Sequence, residues 1–280
     1  MLIRRGWVGL ALGVLGLFGC QSARVVVPVS VEPAGLVLPD DPRLLSTHEA
    51  AVRGISAMLV REFGLPVPDR VSVYVYGSRR AFEEGLVRDG RLSPARAAAL
   101  SESALGVARP RRLLFHDVTS ERGREWLRLV AHELTHVCQI ELAGTDRGPA
   151  QWLKEGMAEW IAFSVLERLR LDSVARRRES ARGSVRQSVS LAATRPDLEA
   201  LGSAAGFTAR HRSDGAVLTY QLAFLMADHL IERDGFARLV DYFREFTRSA
   251  DGERIFERLF GQTLGAFEHE VLEGLAPPRQ

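Results

Sequence analysis

Several signatures are missing from this 280-residue chain: it has no glycine-rich phosphate loop, no G-x-S-x-G nucleophile elbow and no internal repeat. Their absence removes P-loop nucleotide chemistry, the serine-hydrolase arrangement and solenoid architectures from consideration. Long hydrophobic runs are missing too. The one apolar stretch, Trp7 to Gly19, is too short to span a bilayer and follows Arg4 and Arg5, which is the pattern of a signal peptide. Removing residues 1–19 takes two arginines from 37 basic side chains and leaves 35 against 35 acidic ones, so the mature chain has no basic excess. A nucleic-acid partner is excluded on that ground, because phosphate binding needs surplus positive charge. Lys154 is the one lysine, which reflects a preference for arginine codons more than a recognition surface. What is present, 46% hydrophobic and 26% charged residues, suits one large domain or two fused subdomains.

Leu17-Phe18-Gly19-Cys20 resembles a bacterial lipobox, which implies lipidation at Cys20 and a mature chain that starts there. Gln21, where an aspartate would favour the inner membrane, implies an outer-membrane lipoprotein facing the periplasm. With Cys20 lipidated, Cys138 has no partner and no intramolecular disulfide is available. Residues 20–43, carrying Pro28, Pro33, Pro39 and Pro42, read as a tether to a domain over 44–280.

The chemistry concentrates between Trp126 and Trp160. His132-Glu133-Leu134-Thr135-His136 sits in an apolar helical pattern, so His132 and His136, four apart, share one face and can offer two imidazole nitrogens to one cation. A tetrahedral zinc then needs a third protein ligand and an open position for water, and Glu155 on the following helix is the candidate. Glu133 is placed as the base toward a zinc-bound water. Glu159, one turn beyond Glu155, can accept the second ring N–H of a metal histidine or stay a solvated helix charge. Cys138 points away from the histidine face and reads as a small core residue. Gly156 suggests a close approach between the Glu155 helix and the metal helix.

The pair of motifs, HExxH and then Trp152-Leu153-x-Glu155-Gly156-x-Ala158 after eighteen intervening residues, resembles the aminopeptidase branch of the gluzincin metallopeptidases. That resemblance implies a zincin-like fold, zinc held by His132, His136 and Glu155, and peptide-bond hydrolysis. It also implies an oxyanion donor from a tyrosine on a later helix, for which Tyr220 is the best match, the alternative being an aromatic that packs helices. His211, just before it, is another possible donor. The Gly-x-Met-Glu-Asn stretch that anchors a free amino terminus in that branch is absent, so exopeptidase specificity does not carry over. The resemblance further places a substrate-binding strand just before the metal helix, at Leu113 to His116, which an internal strand would equally explain.

The remaining periodicity predicts an α+β fold, a small mixed sheet (44–143, including the metal helix) followed by a mainly helical half (144–280). Expected elements are a helix from the Thr47 cap to Phe63, a strand over Val71 to Tyr76, a short helix with Phe82 and Leu86, one capped by Ser93-Pro94, and a hairpin across Arg109-Pro110-Arg111. The Glu155 helix is expected from Pro149, with Thr145 or Asp146 outside it, and later helices over Leu218–Ile231, Phe236–Phe246, Glu253–Phe260 and Thr263–Leu275. Between Arg168 and Ser213 no stable periodicity is apparent. Its arginines would form a solvated helix end or face an anionic surface, and Gly183 to Ala205 would be a mobile cover of the cleft. These features predict a lipid-anchored zinc peptidase of the cell envelope acting on a peptide or protein. The rival is an envelope binding or assembly factor that keeps the fold and metal without hydrolysis, and the intact His132, Glu133, His136 and Glu155 disfavour it.

Overall fold

The computed structural model describes residues 24–32, 35–117, 123–145, 148–188 and 201–275, and the side chains of positions 214 and 216 are set aside. The signal peptide and Cys20 lie outside the described residues, as do Pro33, Asp146 and the middle of the expected cleft cover.

Four strands form one mixed sheet in the order β1-β2-β4-β3: β1 is Arg24–Ser30, β2 Arg70–Tyr76, β3 Gly106–Arg109 and β4 Arg112–His116. β1 and β2 are antiparallel, β2 and β4 parallel, and β3 and β4 the expected hairpin. Strand β2 forms because Val71, Val73 and Val75 alternate with polar or aromatic residues, and the three valines are buried in the main core. Each contributes roughly 1.5–3 kcal/mol by leaving water. The opposite face is covered as well. Tyr76 and Leu114 pack there against Phe82 and Leu86 of helix α2 (Arg79–Arg88) and Ala97 of α3 (Pro94–Ser101).

Helix α1 (His48–Arg61) starts where predicted, with Thr47 Oγ1 accepting from the Ala50 amide, and Ser78 and Ser93 cap α2 and α3 in the same way. Then come α4 (Arg124–Ala143), α5 (Gln151–Arg168), α6 (Val174–Gln187), α7 (Ala204–Asp214), α8 (Ala216–Asp234), α9 (Phe236–Glu245), α10 (Gly252–Phe260) and α11 (Leu264–Leu275). The fold is therefore α+β, a small mixed sheet followed by helices. One continuous core from Val29 to Val271 joins the two halves. None of the helices is long and apolar enough to cross a membrane, among the described residues.

Four expectations change. The tether is folded from Arg24 onward: β1 pairs with β2 along its whole length, and Val29, Val31 and Leu36 are buried. Pro28 is compatible with this because β1 is an edge strand, where a missing N–H need not break a ladder. The segment after Arg168 contains two helices, α6 and α7, capped by Ser173 and Ser203. Their apolar spacing is sparse because tertiary packing and arginine–carboxylate pairs hold them. Arg177 binds Asp172, and Arg178 binds Asp228 and Glu232, so two of the clustered arginines are engaged within the fold. Helix α5 begins at Gln151 after Ala150, with no side-chain cap, two residues later than expected. Gly156 does mediate a close helix approach, but toward α8: a Cβ there would lie 2.1 Å from the Ala223 carbonyl oxygen.

Candidate metal centre

Helices α4 and α5 pack side by side and set the site between them. Two consecutive turns of α4 present His132 and His136, and α5 presents Glu155 and, one turn on, Glu159. His132, Glu133, Glu155 and Glu159 are all buried and His136 is half-buried. Three atoms converge. His132 Nε2 and His136 Nε2 are 3.1 Å apart, and Glu155 Oε2 lies 3.2 Å from the first and 3.3 Å from the second. This group could hold a metal ion.

The outer atom of each of these side chains lies against a neighbour. His136 Nδ1 donates to Gln139 Oε1 at 2.8 Å, and the Gln139 amide donates to the Lys154 carbonyl, tying α4 to the start of α5. Gln151 donates to Glu155 Oε1 at 2.6 Å, which leaves Oε2 buried without a hydrogen-bond partner. His132 Nδ1 lies 3.0 Å from Glu159 Oε1, a charge contact that is not aligned as a full hydrogen bond. Buried polar atoms are rarely left unpaired, so an orphaned carboxylate oxygen facing two imidazole nitrogens marks a place for a cation.

Charge follows this geometry. Burial alone would raise the Glu155 carboxyl, but the two histidines hold it well below the ordinary carboxylate range. Glu159 is likewise lowered against burial, by Arg128 and His132. Glu133 moves the other way: burial and the Glu155 charge raise it, opposed by the histidines and by the Ala108 backbone. A carboxyl raised in this way is suited to take up a proton.

Tyr220, at the start of α8, comes to the site with its ring 6.0 Å from that of His132, and it is also packed by Phe207 and His211 of α7. The Glu155 charge and burial raise its hydroxyl well above the usual range, so it remains an O–H donor. It packs helices and stands beside the metal group at once. Cys138 is fully buried, and burial pushes its thiol up, in keeping with a core role. His229 and His269 pair with Glu270 and Glu273 near the surface, and the His116 ring stacks on Phe82.

The strand beside the site is β3, not Leu113 to His116. β4 is interior, flanked by β2 and β3, because the hairpin folds the preceding strand onto its outer side. The Leu105 carbonyl accepts from the His116 amide, so the backbone groups of Gly106 and Ala108 face the free edge. Gly106 touches the base: a Cβ on it would be 2.7 Å from Glu133 Cγ. Sequence reasoning missed Gly106, Arg128, Gln139 and Gln151. Gln139 carried one usable signal, a polar amide three residues after His136 among the apolar positions Val137, Cys138 and Ile140. Two surface depressions, one between Val60 and Arg244 and one around Leu36 and Leu45, contain none of these residues. No family model, curated protein or solved structure matches the chain.

Proposed function

We propose that this chain is a zinc-dependent peptidase of gluzincin type with a zincin-like fold, held in the bacterial cell envelope by a lipid on Cys20. The observation that carries the reading is the triangle of His132 Nε2, His136 Nε2 and Glu155 Oε2 with sides of 3.1 to 3.3 Å, each outer atom facing a neighbour. A tetrahedron with ~2.05 Å zinc bonds has edges of about 3.3 Å, and two imidazoles with one carboxylate are the ligand chemistry of catalytic zinc. When bound, the ion supplies Lewis acidity toward a carbonyl oxygen and lowers the pKa of water toward neutrality.

The chain's own groups supply the rest. Glu133 takes a proton from the attacking water at a carboxylate oxygen and returns it to the leaving amine nitrogen. Tyr220 donates its O–H to the carbonyl oxygen as negative charge develops there. The outward carbonyl of Ala108, whose N–H is held by Glu133, accepts from an extended substrate chain, which favours a peptide without demanding particular side chains. Glu133→Gln tests the assignment. The variant should keep its zinc, read by elemental mass spectrometry, and lose at least ~100-fold in hydrolysis of a mixed peptide library. Unchanged hydrolysis would sink the mechanism. A folded, zinc-loaded parent without any turnover would transfer the protein to the binding-factor reading.

A further inference from the structure

Arg128 lies on α4 one turn before His132, and nothing in the metal motif calls for a cation at that position. Its guanidinium is half-buried and forks between two acids: Nη1 reaches Glu159 Oε1 at 2.6 Å and Nε reaches Glu125 Oε2 at 3.0 Å. The same Glu159 oxygen is 3.0 Å from His132 Nδ1. Glu125 in turn meets Arg177 of α6 at 3.6 Å. A ladder of alternating charge thus runs from the surface to the metal group, Arg177, Glu125, Arg128, Glu159, His132.

The charge inventory points the same way. Glu133, Glu155 and Glu159 bring three carboxylates into one buried site, and a divalent cation offsets two of those charges. Arg128 offsets the third. Its planar fork also fixes direction, since a guanidinium bonded to two carboxylates allows little rotation of either. We propose that Arg128 is a positioning residue for the metal site: by clamping Glu159, it holds the His132 ring with Nε2 turned toward Glu155 and His136. The role rests on the metal reading above and concerns an outer contact that orients a ligand, the kind whose loss typically costs 10–100-fold in metal affinity.

The test is a double-mutant cycle on the purified protein, with zinc dissociation constants measured by chelator competition for the parent, Arg128→Met, Glu159→Gln and the double variant. Arg128→Met and Glu159→Gln should each weaken zinc about tenfold, and the double variant should be little weaker than either, because the arginine acts through the carboxylate. An arginine that merely cross-links α4 to α5 would lower the melting temperature without moving the zinc constant. Arg128→Met with parental affinity overturns the proposal, and so do losses that multiply in full in the double variant. Should Arg128→Met fail to fold, Arg128→Lys replaces it in the cycle. An ammonium keeps the charge without the fork, so a smaller loss, about threefold, with the same lack of additivity is expected. A folded parent that binds no zinc refutes the metal centre itself, a result separable from parental binding that Arg128→Met leaves unchanged.

Discussion

Gly156→Ala joins packing to chemistry in one substitution. In a helix interior alanine is favoured over glycine by about 1 kcal/mol, so on propensity alone the change stabilises α5. The tertiary setting reverses the sign. The new Cβ would stand 2.1 Å from the Ala223 carbonyl oxygen, 2.8 Å from its carbonyl carbon and 2.8 Å from Ala227 Cβ. Two of these three atoms belong to the backbone of α8 and cannot rotate away, so α5 and α8 have to separate by more than an ångström to reach ordinary contact. Overpacking of this kind costs about 3 kcal/mol, and the net loss after the propensity gain is about 2 kcal/mol, or roughly 4–8 °C in melting temperature for a chain of this size. Glu155 is the adjacent residue, and its Oε2 sits only 3.2 Å and 3.3 Å from the two histidine nitrogens. Metal–ligand distances tolerate about ±0.2 Å, so a helix shift of that size should also weaken zinc by tenfold or more. Thermal melts of the metal-free protein and chelator competition read the two effects separately. A variant that melts with the parent and binds zinc equally well would refute both the close packing and its link to the site.

Three further outcomes follow from the same site. In metal-free protein burial opposes protonation of His132, but Glu155 and Glu159 outweigh it and push its pKa from 6.5 up to about 10. A raised pKa stabilises the fold fully below pH 6.5 and loses that contribution as pH climbs to about 10, so urea melts in chelator should show falling stability across that window. Zinc has to displace this proton, and its apparent affinity should rise about tenfold per pH unit between roughly pH 7 and 9; a flat profile would contradict the charge assignment. Gly106→Ala would place a Cβ 2.7 Å from Glu133 Cγ and 2.8 Å from its Oε1, turning the base aside. Turnover should fall roughly 10–100-fold while zinc affinity stays within about twofold, and turnover equal to the parent would remove β3 from the site.

The readings that succeeded on sequence rest on short-range geometry. Histidines four apart share a helix face whatever surrounds them, and valines at every second position of β2 share a sheet face. Serine or threonine before a helix finds the amide of the third residue on, which is why the caps at Thr47 and Ser93 were legible in the chain. Strand β1 was not legible, because prolines suppress a strand pattern unless the strand is already known to be an edge. Helix α6 was hidden for a different reason: its arginines look solvated until Asp172, in the turn just before the helix, and Asp228 of α8 are seen to bind them.

The sequence by itself determined which side chains can meet a cation from α4 and that one carboxylate must come from a following helix. Only the tertiary structure decided how that carboxylate is aimed. It tied Gln139, which already meets His136 within α4, to the Lys154 carbonyl at the start of α5, and it swung Tyr220 back across 88 positions to stand beside His132. It also made β3 the edge beside Glu133 and brought Arg128 onto Glu159. The contacts of Gln139 with Lys154, Tyr220 with His132, β3 with Glu133 and Arg128 with Glu159 join different elements, and their formation depends on how helices and strands pack, which no local spacing encodes.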